Sequence, residues 1–276
     1  MHSADGSRPW TFYFFAGFFG LFVAFLYGPM VVIYVLSFQG PTGGMTFPLN
    51  GVSLHWFDAL ISQSRVGDIA GSFQRSIALA AVVAVVTVLV SVLAGLAFRR
   101  PFRGSAFAFY LAIASLIMPG LFVGLGIALT FRLLGLPTGW YSSGLGAQLT
   151  WTLPFGLLIM FAVLGRFNRS YEEAATDLGA TNWQKLKEVT IPMLLPGIIG
   201  VALFGFTLSY DEIARTALAA GAKNTLPLEI WAMTTNVTSP TLYAVGAVTT
   251  IVSFFVIVAA LTSIGAIQRR RSRSKT

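Results

Sequence analysis

The sequence has no cysteine and only two histidines in 276 residues. Without cysteine there is no disulfide framework and no thiolate metal site. His2 and His55 lie far apart in polar stretches, so a histidine metal centre is not expected. Charge is also scarce. Only 10% of residues are Asp, Glu, Lys or Arg, while 55% are hydrophobic. A soluble domain carries roughly 25% charged residues, so a membrane chain is the first reading. No Gly-x-x-x-x-Gly-Lys-Ser/Thr stretch is present to cradle phosphates, and no Gly-x-Ser-x-Gly elbow to present a nucleophile. No apolar run contains a histidine for protease chemistry. No catalytic residue and no metal site are assigned.

Long apolar runs are what the chain has instead. A helical span takes about 20 apolar residues. Six runs qualify: Phe12–Leu36, Ser72–Phe98, Ser105–Phe131, Gly146–Gly165, Ile191–Tyr210 and Thr241–Ile267. The first is too long for a signal-peptide core and has no small-residue cleavage site after it, so it reads as a retained span. The fold class expected is all-α, a polytopic membrane protein with six transmembrane helices in a single transmembrane domain over 1–276.

The formal charge is +8, and its distribution gives an orientation. One set of connections holds Arg8, Arg99, Arg100, Arg103, Arg166, Arg169, Lys185 and Lys187, with Arg269, Arg270, Arg271, Arg273 and Lys275 in the tail. The other holds only Arg65, Arg75, Arg132 and Lys223. The positive-inside rule then puts both termini in the cytoplasm. The basic tail reads as a topology signal and lipid contact, not as a nucleic-acid site. In the long outer loop Phe38–Gly71, Leu54-His55-Trp56-Phe57 reads as a short interfacial helix. Trp56 and Phe57 are candidate headgroup anchors, with contact to a soluble partner as the alternative.

The inner loop Arg166–Thr190 carries the main signal. Glu172 to Leu178 is helix-forming, with acids at its start where the helix dipole favours them. Gly179 fits a left-handed C-terminal cap. Thr181 followed by Gln184 is a capping box that opens a second helix. Two short helices joined by a glycine elbow make a knob suited to a partner's cleft.

The wording of that loop resembles the EAA loop of ABC importer permeases. Glu173-Ala174-Ala175 is followed by Gly179 and then Val189-Thr190-Ile191-Pro192 at the family's spacing. Its usual ending is Ile-x-Leu-Pro. Shorter matches resemble spermidine/putrescine-type permeases: Tyr27-x-Pro29, Arg75 to Leu79, Asn224-Thr225-Leu226-Pro227 and Ser239-Pro240. Leu208 to Ile213 is similar to their Ser-x-Asp-Asp-Phe stretch, with Glu212 and Ile213 as departures.

The resemblance implies a type I ABC importer permease fold in the bacterial inner membrane. It implies a dimer of ATP-binding subunits, a second permease subunit and a periplasmic or extracellular substrate-binding protein as partners. Membrane lipid is a partner by composition, and nucleic acid is not. ATP and Mg are expected on the ATPase, with no cofactor on this chain. Glu172, Glu173, Ala174, Ala175, Gly179 and Pro192 are the expected coupling residues, with Glu173 the polar contact. Tyr210, Asp211 and Glu212 are candidate pathway residues for a cationic solute such as a polyamine or opine. A helical ion pair with Arg215 is the alternative for the two acids. A self-contained secondary transporter or channel is the alternative function. It would call for inverted repeats, which the sequence does not display.

Overall fold

A computed structural model describes residues 9–62, 67–100, 102–236 and 239–273. Arg8, Arg65, Lys275 and His2 lie outside the described residues, as do the side chains of Arg269, Arg270, Arg271 and Arg273. Apart from one isolated bridge, Gln39 with Val52, the described elements are helices. The chain forms two compact units.

The unit Asp68–Trp231 is built on three long helices: α3 (Ile69–Phe98), α6 (Ser143–Gly165) and α9 (Ile191–Tyr210). All three pack on one another. Met160, Leu194 and Val201 form their buried centre, ringed by Val88, Val92, Leu96, Val163 and Ile198. Small residues bring the backbones close. A β-carbon at Gly156 would overlap the Ser91 hydroxyl and sit 2.8 Å from a Thr87 methyl. Close approach of this kind is how helices associate where lipid supplies no hydrophobic drive. Polar side chains add cross-helix bonds. Thr87 Oγ1 donates to Thr152 Oγ1 at 2.8 Å, and the Ser209 hydroxyl donates to Gln148 Oε1.

The apolar run Ser105–Phe131 is not one helix. It is divided into α4 (Ser105–Ala114) and α5 (Gly120–Leu133). Pro119 explains the break. It cannot donate to the carbonyl of Ser115, and it disfavours helical backbone at Met118. The Ser115 hydroxyl instead donates to Ala112 O and Thr150 O, at 2.9 and 2.8 Å. The second bond serves α6, where Pro154 leaves the Thr150 carbonyl without its helical donor. The Ser115 carbonyl itself accepts from Arg215 Nη2 at 3.4 Å.

The other unit comprises the described residues of 1–67 and 232–276. It holds α1 (Trp10–Leu36), α2 (His55–Ile61) and α11 (Thr241–Arg273). Both α1 and α2 pack on α11. Nearly every side chain of α1 is exposed, including Phe15, Phe18, Phe19 and Phe25. A helix apolar on all sides and exposed suits lipid as its solvent. The 38–54 loop is folded around fully buried Gln39. Its amide donates toward Gly44 O and Thr46 O at 3.2 and 3.3 Å, and accepts from Asn50 N at 2.7 Å. Tyr243 Oη ties the loop to α11 through Met45 O at 2.7 Å. The predicted short helix exists as α2, but its aromatics are half-buried. Phe57 packs on Phe38 with ring centroids 5.3 Å apart, and the Trp56 Nε1 is buried. The most exposed large apolar residues here are Val52, Leu54 and Ile61, with Phe38 and Phe47 also exposed.

Among the described residues, four helices are long and apolar enough to cross a membrane: Trp10–Leu36, Ile69–Phe98, Ser143–Gly165 and the continuous run Asn182–Tyr210. Ser105–Ala114, Gly120–Leu133 and Thr241–Phe255 are shorter apolar segments. The six-span expectation thus meets four helices of full length, plus the divided third run and the described apolar part of α11.

Candidate functional site

The 166–190 loop folds by local rules. Helix α7 (Ser170–Asp177) carries Glu172 and Glu173 in its first turn. Gly179 has φ +83°. Its N–H donates to Thr176 O at 2.8 Å, and the Ala180 N–H donates to Ala175 O at 2.9 Å. These two bonds are a Schellman cap, which satisfies the last carbonyls of the helix and needs a left-handed residue. Thr181 then starts α8 (Asn182–Gln184) with a complete capping box. Gln184 Oε1 accepts from Thr181 N at 2.8 Å, and Thr181 Oγ1 accepts from Gln184 N at 3.3 Å. A π-helical turn, Lys185–Thr190, leads directly into α9. Pro192 is the second residue of α9. Because the run Asn182–Tyr210 is continuous, its missing N–H falls inside a helix, directly after the π turn.

The two acids in the first turn of α7 part company. Glu172 is half-buried, and both its oxygens receive the Arg99 guanidinium, at 2.8 and 2.7 Å. Thr190 Oγ1 adds a third bond at 2.6 Å. The Arg99 hydrogen bonds hold the Glu172 carboxyl below the usual carboxylate range, helped by Thr190 and opposed by desolvation. The same bonds raise the Arg99 guanidinium. Glu173, by contrast, is exposed, as are Ala174 and Gly179, while Ala175 is half-buried. Around them stand exposed apolar side chains. Tyr171 and Trp183 are 54% and 68% exposed, and Leu178 is 89% exposed. Tyr171, Ala174 and Leu178 follow helical spacing, which makes them one stripe beside the elbow. Sequence reading passed over Leu178 and Trp183 as interaction residues. Their signal was large apolar side chains in an otherwise polar loop.

The second cluster lies after α9. That helix ends at Tyr210, with Asp211 as its C-cap. Asp211 and Arg215 are therefore not helical neighbours. Arg215 turns to Glu212 instead. Its backbone N–H donates to Glu212 Oε1 at 2.7 Å, and its guanidinium lies 3.9 Å from Oε2. Both side chains are buried, at 4% and 8% exposure. The guanidinium also lies over the Trp151 ring, 4.3 Å from its centroid. Asp211 is exposed. Tyr210 stacks on Phe206 with centroids 6.1 Å apart and meets Phe73 edge-on.

Comparison with known proteins agrees with this architecture. Residues 87–273 match the family described as "Binding-protein-dependent transport system inner membrane component". The chain is 27% identical over 245 residues to the spermidine/putrescine transport system permease protein PotC of Escherichia coli strain K12, covering 88% of this chain and 90% of PotC. It is 30% identical over 213 residues to the putrescine transport system permease protein PotI of the same strain, covering 75% of each chain. The fold is similar to a chain in the crystal structure of a bacterial ABC transporter involved in the import of the acidic polysaccharide alginate. The TM-score is 0.67 at 18% identity, over 93% of this chain and 98% of that one. ATP hydrolysis in such a system resides on a separate ATPase, and the permease carries no cofactor. The chain belongs to the binding-protein-dependent transport system inner membrane component family, as a multi-pass inner-membrane permease subunit of an ABC transporter that is not itself catalytic.

Proposed function

We propose that the chain forms half of an import pathway for a small organic, cationic solute such as a polyamine or opine. In this reading 1–276 is one six-span permease domain with both termini cytoplasmic, and α4 and α5 together make the third span. A second permease subunit supplies the other half, and an external binding protein delivers the solute.

The observation that carries the reading is the elbow at Gly179. It presents Glu173, Ala174 and Leu178 outward while Glu172 is held by the chain itself. An apolar knob with exposed carboxylates suits a groove on an ATPase subunit, with Glu173 meeting a basic residue there. Ala174 and Ala175 keep the helix surface low for close approach, and Pro192 starts the span that the loop moves. ATP-driven closure of the ATPase shifts the elbow. The spans then change state in proportion to the differential contacts the ATPase makes with each.

The cation preference rests on the 210–215 turn and on the names of the relatives. Twenty helical residues from Ile191 span about 30 Å, so Asp211 lies near one end of the bilayer. Glu212 and Arg215 pair, leaving Asp211 as the remaining negative charge, with the Tyr210 ring as a cation–π face. Glu212 then acts by shaping the turn that carries Asp211. Asp211→Asn should lower uptake of a cationic solute several-fold, while the complex still assembles and hydrolyses ATP. Uptake assays in vesicles with the cognate binding protein check this. Normal uptake by Asp211→Asn would remove Asp211 from the pathway.

A further inference from the structure

Arg99 stands one residue beyond the end of α3, and Glu172 in the first turn of α7. They are 73 positions apart in sequence, yet they form a two-pronged ion pair. A guanidinium fork fixes the orientation of a carboxylate in a way that a point charge does not. The same carboxylate accepts from Thr190, which is 1% exposed and directly precedes α9. One residue before α7, Arg169 Nη2 donates to the Arg99 carbonyl at 2.9 Å. The Arg99 guanidinium also lies over the Phe167 ring, 5.0 Å from its centroid. A single carboxylate therefore gathers the end of α3, the helix of the elbow and the entry to α9. The loop is joined covalently only to α6 and α9. Its hold on α3 depends on these contacts.

We propose that Glu172, gripped by Arg99 and Thr190, is the link that carries movement of the elbow into α3 as well as α9. Glu172 and Arg99 are positioning residues in this account. They make no contact with solute or nucleotide, and they act by keeping three elements moving together. The pair is about four-fifths buried, with side-chain exposures of 19% and 24%, so salt screens it less than a surface pair. The inference rests on the reading that the elbow docks on an ATPase. It adds that Glu173 meets the partner while Glu172 transmits the movement.

The test uses the complete transporter, with ATPase subunits and binding protein, in proteoliposomes. The readout is the ratio of binding-protein-stimulated to basal ATP hydrolysis, together with solute moved per ATP. Recovery of the ATPase subunit and the melting temperature of the complex are measured alongside. Glu172→Gln and Arg99→Gln should each retain the ATPase subunit and lose coupling by about five-fold or more, the range of typical inter-site couplings. Arg99→Lys, which keeps the charge but not the fork, should fall between them and the parent. A parental ratio in both Gln variants overturns the proposal. So does a ratio that falls only in step with lost ATPase subunit, because that marks a purely structural role. If Gly179→Val is impaired while Glu172→Gln couples normally, docking stands and the link fails. If Gly179→Val and Glu173→Lys both transport normally, docking itself fails.

Discussion

Gly179→Val should give a permease that inserts into the membrane but fails to hold or respond to its ATPase. Gly179 has φ +83°, and a β-carbon there would meet no atom within 4 Å. The penalty is therefore in the backbone alone. A β-branched residue held in the left-handed region costs about 1–3 kcal/mol, and each 1.4 kcal/mol or so is tenfold in an equilibrium. The chain escapes that cost by abandoning the Schellman cap. The Thr176 and Ala175 carbonyls then lose their partners, and Leu178 loses its fixed position. The apolar spans are untouched, so insertion and the α3–α6–α9 core survive. Gly179→Asn is the matched control, since asparagine tolerates left-handed backbone. ATPase co-purification and stimulated hydrolysis should be near parental for Asn and reduced at least several-fold for Val. Equal behaviour of the two variants would show that left-handed geometry at this elbow is immaterial.

The largest effect on stability is expected at Arg215. Its guanidinium is buried on Trp151 and faces the Glu212 carboxylate. Truncating one member of a buried pair leaves the other charge without compensation, at about 3–5 kcal/mol. Arg215→Ala should therefore lower the melting temperature of the detergent-purified protein and its yield from membranes. Replacing both residues by leucine should recover much of the loss, because a buried pair exchanged for apolar groups is often close to neutral. A parental melting temperature for Arg215→Ala would show that Glu212 finds other solvation, and that the 211–216 turn does not depend on the pair.

Legibility in the sequence followed the range of the interactions. The elbow was readable because its determinants are local. A glycine after a helical run and a threonine three residues before a glutamine each specify a backbone state by themselves. Span ends at Leu36, Phe98, Gly165 and Tyr210 were readable because apolar composition stops there. The break at Ser115–Pro119 was hidden by the same measure. Hydropathy counts composition, and Pro119 acts through a missing hydrogen bond that leaves the run equally apolar. Glu172 was placed at the site, but its commitment to Arg99 was beyond reach. The partner comes from the far end of another helix. The choice of Glu212 over Asp211 as partner of Arg215 was missed for a related reason. Helical spacing was carried past the point where α9 ends, and the turn beyond it obeys different neighbours. Trp56 and Phe57 were read as headgroup anchors from residue type, which carries no information on the contact Phe57 makes with Phe38.

The claim that this chain is driven through its glycine elbow is tested most directly by site-specific photo-crosslinking. A photoreactive residue is placed at position 178, where the leucine is 89% exposed, in transporter expressed in its native membrane. The account predicts a discrete adduct with the ATP-binding subunit, weakened when Gly179→Val is combined with it. A transport-competent complex that gives no such adduct, with label found only in lipid or in this chain, would contradict the account.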